Sequence, residues 1–262
     1  MKDLVAMFFD TTGIEESWSR IVESYPSEKI ELLGTFWLQF ISFWMLSSFF
    51  LLLDMIPLFQ KHKIQPMSKQ PKREALWRCL LCAFLNQALS TGLHFGQILF
   101  LQEYTSKRSI YRVEPSLPSP REFVIGILAC TILREIFFYY GHRLLHHPSI
   151  YPLIHKQHHR FTTPIAFAAQ YTHPMEHIIS NILPIVAPAR LLGVHIIVFW
   201  TFMTASIMQA AAAHSGYKTF SFLGWSPTIH DAHHEFFNVN YGLIGIMDML
   251  HGTRYSAKKK EH

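Results

Sequence analysis

The chain has 262 residues, half of them hydrophobic and 15% aromatic, with only 16% charged, against roughly 25% charged in an average soluble protein. The formal net charge of +5 comes from short basic runs beside apolar segments. That distribution excludes the basic face or recognition motif a nucleic-acid partner needs and suits charge flanking a membrane. The three cysteines, Cys79, Cys82 and Cys130, fall in apolar stretches, so we expect no disulfide framework and read Cys79-x-x-Cys82 as packing.

Residues 1–32 are mixed and amphipathic and lack a basic segment, apolar core and small-residue cleavage site in sequence, so the first spanning segment is expected to do the targeting. Candidate spans follow at about 34–59 (GTFWLQFISFWMLSSFFLLLDMIPLF), 76–101 and 121–140, each near the roughly 20 residues that cross a bilayer core. Asp54, the one acidic residue of the first span, is expected near a membrane face. The apolar stretch 178–213 is broken by Pro184, Pro188, Arg190 and Gly193, which predicts a hairpin. Lys61, Lys63, Lys69, Lys72, Arg73 and Arg78 lie between the first two spans, and this positive excess assigns that loop to the cytosol. Walking the crossings onward puts every histidine cluster and the C-terminus on the same cytosolic side. The fold class expected is all-α, an integral membrane helical bundle with a cytosolic histidine-rich cap. No flexible linker divides it: 1–120 holds the amphipathic segment and first membrane helices, 121–255 the catalytic region and 256–262 a basic cytosolic tail, all one structural unit. The alternative, buried helices of a soluble protein, is disfavoured by the long, nearly uncharged aromatic first span.

Thirteen of the seventeen histidines lie between positions 142 and 234. They group as His142-Arg-Leu-Leu-His146-His147, His155-Lys-Gln-His158-His159 and His230-Asp-Ala-His233-His234, with His173, His177, His195 and His214 between. Residues three and four apart share a helix face, so each group is expected to aim two or three imidazoles at a common point. Three such groups offer about eight nitrogen ligands, too many for one metal ion and suited to two. Imidazole suits Zn, Cu, Fe and Ni alike. A zinc hydrolase would carry a glutamate general base as in H-E-x-x-H, which is absent, so iron doing oxygen chemistry fits better. Glu135, Glu176, Asp231 and Glu235 are candidate partners for the outward ring nitrogens.

In the spacing and order of these residues, H-x3-H, H-x2-H-H and H-x2-H-H, the sequence resembles the fatty acid hydroxylase/sterol desaturase superfamily over roughly 121–255. FYYGHRLLHHPSIYPLIHKQHHRFTTPIAFAAQYTHPMEH, HSGY and HDAHHEFFNVNYGLIGIMDMLHGT are similar to the branch containing the methylsterol oxidases. The resemblance implies two Fe ions held by His142, His146, His155, His158, His159, His230, His233 and His234, with His214 of His-Ser-Gly-Tyr and His173 of His-Pro-Met-Glu as further ligands. It also implies O2 as co-substrate and electrons from NAD(P)H through a redox partner such as cytochrome b5. Arg134-Glu135 departs from the pattern, in which both positions are acidic.

The function expected is hydroxylation of an unactivated C–H bond of a lipid, a sterol first among them as in C-4 methylsterol oxidation, with no catalytic residue beyond the metal centre. Fatty-acyl hydroxylation or desaturation on the same centre is one alternative. A non-catalytic metal-binding or metal-transport membrane protein is another, although transport sites favour ionisable residues inside the spans. Lys259-Lys260-Glu261-His262 resembles a dilysine retrieval signal, which suits an endoplasmic reticulum membrane protein. Phe137, Phe138, Tyr139, Tyr140, Phe199, Trp200 and Phe202 supply aromatic surface for an apolar slot or for packing.

Overall fold

The structure is a computed structural model that describes residues 12–218 and 227–255. The basic tail and its dilysine pattern lie outside the described residues. Among the described residues the secondary structure is helical, with two isolated bridges, Lys63 to Tyr217 and Arg112 to His195, and no strand.

Helix α1 spans Thr12–Ser24 and α2 Ser27–Asp54, parted at Pro26, which cannot donate within a helix. Helix α3 runs over Arg73–Tyr104 and α4 over Pro120–Leu145. The start of α4 follows from local chemistry: Ser119 accepts a hydrogen bond from the Glu122 N–H at 3.2 Å, and Pro120 occupies the first turn, where its missing N–H costs nothing. Among the described residues three helices are long and apolar enough to cross a membrane: α2, α4 and the later Ile196–His214. At 1.5 Å per residue, the 28 residues of α2 extend about 42 Å. The span expected at 76–101 forms within α3, which at 32 residues is longer still. However, Asn86, Gln87, Ser90, Thr91, His94 and Gln97 interrupt its apolar run, which leaves it outside those three.

The expected hairpin is present with an irregular first arm. Pro174–Glu176 is α-helical, His177–Ile182 is π-helical, and α5, Leu183–Leu191, returns to α geometry. Pro184 has no N–H for the carbonyl four residues earlier, and the backbone passes through the wider turn just before it. Gly193, at φ +58°, makes the corner, and α6, Ile196–His214, forms the second arm. His195 caps α6, its Nδ1 accepting from the Ile197 N–H at 3.1 Å. Helix α6 packs against α2, α4 and α5. At the α2 contact the Trp200 indole fills the space a Cβ on Gly34 would need, and its Nε1 donates to Thr35 Oγ1 at 2.9 Å. Helix α7, Pro227–Phe236, and α8, Ile246–Leu250, follow.

The loop between α2 and α3 is pinned beside the end of α6. Lys63, although counted above as a flanking charge, is buried. Its Nζ lies 2.7 Å from Asp54 Oδ1 and donates to the Ser215 carbonyl at 2.9 Å, while Tyr217 OH donates to Asp54 Oδ1 at 2.7 Å. Desolvation lowers the Lys63 pKa against the opposing pull of Asp54. Asp54 therefore ends the first span as a partner for Lys63. The three cysteines are free thiols, with Cys79 and Cys130 buried.

Candidate metal centre

Among the described residues nine histidines converge on two neighbouring points. His142, His146, His155, His159 and His233 form one group, and His158, His214, His230 and His234 the other; within each, one nitrogen per ring lies within 4.8 Å of all the others. Helix α4 delivers His142 and, at its end, His146, α6 delivers His214 and α7 delivers His230, His233 and His234. The segment expected to be α-helical at His155, His158 and His159 is a 3-10 helix, His155–Arg160. Its tighter winding keeps it to a short piece between α4 and the π-helical arm.

The expectation that each sequence group serves one point is corrected by this geometry. Adjacent residues on a helix point about 100° apart, so His158 and His159 diverge, as do His233 and His234. The second and third groups each divide between the two points. His173 lies outside both groups, and its Nδ1 accepts from the Met175 N–H at 3.2 Å, capping the helix that begins at Pro174. His147 is exposed and accepts from the Ser149 N–H. His177 is buried but paired with Ser90 Oγ at 2.8 Å and Asn181 Nδ2 at 3.0 Å.

Within each group it is the Nε2 atoms that meet. They approach at 3.1 Å for His142–His155, 3.0 Å for His155–His146 and for His155–His159, 3.2 Å for His146–His233, 2.8 Å for His230–His214 and 2.9 Å for His234–His230. The opposite edges of three rings reveal their tautomer. Nδ1 of His142 faces the Tyr241 carbonyl at 2.8 Å, that of His233 the Val239 carbonyl at 2.6 Å and that of His214 the Ala210 carbonyl at 2.8 Å. A carbonyl only accepts, so these Nδ1 atoms carry the proton and their Nε2 atoms are bare lone pairs. Bare lone pairs about 3 Å apart repel, and a cation between them removes that cost. Imidazole–metal bonds of about 2.0–2.1 Å place nitrogens sharing an ion at about this separation. The donor set therefore fits one metal ion per group.

Two buried carboxylates shape the surroundings, and the sequence reading had singled out both. Glu176 Oε1 lies 2.8 Å from His155 Nδ1, and burial pushes its pKa well above the ordinary carboxylate value. Glu135 touches no histidine; it accepts from the N–H groups of Leu243, Ile244 and Met247 at 2.7, 3.0 and 3.2 Å. Asp231 accepts instead from Gln65 at 3.0 Å, and Glu235 is exposed. Asp248 was missed from the sequence. It accepts from the Tyr241 and Gly242 N–H groups, each at 2.8 Å, and from Thr253 Oγ1 at 2.6 Å. Glu135 and Asp248 thus fix the loop that presents the Tyr241 carbonyl to His142. Outside the spans, burial and the neighbouring rings hold the pKa values of His146, His155, His158, His159, His230 and His234 far below the ordinary imidazole value; for His233 burial and His142 do so against the Val239 carbonyl. Neutral rings are the form a metal ion binds.

A cavity opens from this centre into the bundle. His142, His155, His158, His214 and His230 line one end, and Phe138, Tyr111 and Phe199 are among its walls. Along α6 the lining runs from Phe199 to His214, fifteen residues or about 22 Å. Of the aromatic residues noted above, Phe138 and Phe199 face this space, whereas Tyr139 and Phe202 are buried in packing.

A family model described as fatty acid hydroxylase matches residues 127–253. The chain is 31% identical over 246 residues to fatty acid hydroxylase domain-containing protein 2 of Homo sapiens, covering 91% of this chain and 72% of that protein. It is 29% identical to methylsterol monooxygenase 2-2 of Arabidopsis thaliana over 253 residues, covering 92% and 91%. A very-long-chain aldehyde decarbonylase of Oryza sativa is also 29% identical, over 261 residues and 94% and 93% of the two chains. No solved structure matches the chain.

Proposed function

Because this chain belongs to the fatty acid hydroxylase family, we propose that it is a membrane-bound oxygenase that holds two iron ions in its paired histidine groups and hydroxylates an unactivated C–H bond of a lipid, most readily a sterol. The observation that carries this reading is the cavity of about 22 Å joining the histidine centre to the interior of the bundle. A transport site has no use for a long apolar pocket ending on the imidazoles of His142, His155, His158, His214 and His230. The sterol preference rests on the full-length similarity to a protein named methylsterol monooxygenase. Fatty-acyl hydroxylation and desaturation on the same centre are the second reading, which the names of other relatives favour.

Iron held by His142, His146, His155, His159 and His233 and by His158, His214, His230 and His234 supplies the oxidation of a C–H bond by O2, which no acid or base of the protein performs. The chain contributes position and exclusion of water. Backbone carbonyls of Val239, Tyr241 and Ala210 hold three rings with Nε2 facing inward, and Glu176 sits behind a fourth. Phe138, Phe199, Met203 and Ile207 give the cavity an apolar wall against which a lipid lies. Hydroxylation consumes two electrons beyond the substrate, so NAD(P)H and a carrier such as cytochrome b5 belong to the reading. The basic loop before α3 suits a cytosolic face of the endoplasmic reticulum membrane, where such a carrier meets the histidine cap.

The test is lipid profiling by mass spectrometry in cells lacking the protein, rescued by the native chain or by the double variant His158→Ala, His159→Ala. Accumulated 4-methylsterols cleared only by the native chain are the expected result. A histidine-dependent change confined to acyl lipids moves the substrate to fatty acids. Rescue by both chains removes metal catalysis.

A further inference from the structure

Arg134 lies in the middle of α4, in the wall of the cavity, and is 7% exposed. A guanidinium is always charged and has five N–H donors and no acceptor. Two of those donors are used: Nη1 donates to Gln209 Oε1 at 2.5 Å and Nη2 to the Ser206 carbonyl at 3.3 Å. Both acceptors are neutral. Among the described residues no carboxylate lies within ion-pair distance of this guanidinium. The neighbouring Glu135 is committed to three backbone N–H groups of the 243–247 loop, and Glu176 to His155. The Glu135 charge acts on this guanidinium only from beyond contact; a buried cation with no carboxylate in contact is costly, and this one borders the space a ligand would fill.

The orientation of Gln209 adds to the point. Arg134 only donates, so the Gln209 oxygen must face it, and the amide NH2 group, two further donors, is left to the cavity that Gln209 also lines. Guanidinium and amide together present donors and no acceptor. Arg134 precedes His142 by eight residues and Gln209 precedes His214 by five, so the pair sits about 8–12 Å from the histidine centre along the two helices.

Resting on the reading of the cavity as a lipid site, we infer that Arg134 and Gln209 form an anion-binding point in its wall, so that of two lipids with one skeleton the carboxylate binds more tightly than the neutral alcohol. Carboxylate is the planar acceptor that matches the donor fork of a guanidinium. A neutral alcohol of the same skeleton leaves the cation without its partner. Fatty acids and sterols bearing an acid group share this chemistry.

The experiment uses the full-length, iron-loaded protein in detergent at pH 8. It compares Kd values for two matched pairs, oleate with oleyl alcohol and cholesteryl hemisuccinate with cholesterol, together with the variants Arg134→Leu and Gln209→Glu. The native chain is expected to bind the acid of at least one pair about tenfold or more tightly than its alcohol, the scale of one buried charge-assisted contact. The pair that shows the preference identifies the source of the carboxylate. Gln209→Glu keeps the acceptor beside Arg134 and supplies a carboxylate in contact with it. It is expected to bring the acid-to-alcohol ratio near one, and so carries the test even if Arg134→Leu fails to fold. Equal affinity for acid and alcohol in the native chain, or a full preference retained by Gln209→Glu, overturns the anion point and leaves the lipid reading standing. Binding of none of the four lipids overturns the lipid reading itself.

Discussion

Glu176 presses a carboxylate to within 2.8 Å of His155 Nδ1, so it fixes both the orientation and the basicity of that ring. Replacing it with Gln keeps the shape and puts an amide in place of the carboxyl group behind that ring. Iron affinity measured by chelator competition is expected to fall about 10- to 100-fold, and an unchanged affinity would show that packing alone orients His155. Gly242 is a second sensitive position for a steric reason: a Cβ there would lie 2.6 Å from Glu135 Oε1 and 2.8 Å from Asp248 Oδ2. Gly242→Ala is therefore expected to displace one or both carboxylates and lower thermal stability by about 1–3 kcal/mol, the scale of a buried polar group left unpaired. At this scale the histidines were legible because ligand spacing repeats three times in the chain. The groups that set their tautomers were not, since the carbonyls of Val239, Tyr241 and Ala210 belong to the backbone and leave no mark in the residue types. The cap that His173 forms through Nδ1 before Pro174 was equally hidden, because a capping histidine has the same letter as a ligand.

Among the elements, the segment from Tyr241 to Asp248 carries no regular structure before α8, yet it positions His142. Its order comes from two buried carboxylates that together accept five of its N–H groups. Asp248→Ala leaves the N–H groups of Tyr241 and Gly242 without partners, an expected loss of about 2–6 kcal/mol. Because the same loop supplies the His142 acceptor, iron stoichiometry is expected to fall with the melting temperature. A variant that melts early but loads two irons per chain would separate the loop from the centre. The long helices were readable from their apolar runs, with boundaries moved by caps such as Ser119 and by Pro26. The π-helical stretch at 177–182 and the 3-10 turn at 155–160 were not, because hydrophobic periodicity assumes one helical pitch. The division of the histidines between two points follows from that local pitch and from how α7 meets α6; spacing within a motif gives only which rings are close in sequence.

For the whole molecule, the centre couples binding, protonation and stability. Burial holds His146, His155, His158, His159, His230, His233 and His234 far below the ordinary imidazole range, so the folded chain keeps these rings neutral. The unfolded chain protonates them near pH 6.5. Below that pH the unfolded state binds more protons, so stability is fully present above about pH 6.5 and is lost as pH falls, by up to about 1.4 kcal/mol per unit for each fully titrating ring. A metal ion bound only by the folded state adds stability, and protons competing for the same lone pairs withdraw it in the same direction. Thermal midpoints of the iron-free chain are thus expected to hold above pH 7 and drop steeply between pH 6.5 and 5. Iron should raise the plateau, and the double variant His158→Ala, His159→Ala should show a shallower acid slope because two titrating rings are gone. A slope unaffected by that variant would mean that these rings are already hydrated or charged in the folded chain, which is incompatible with a closed metal cage.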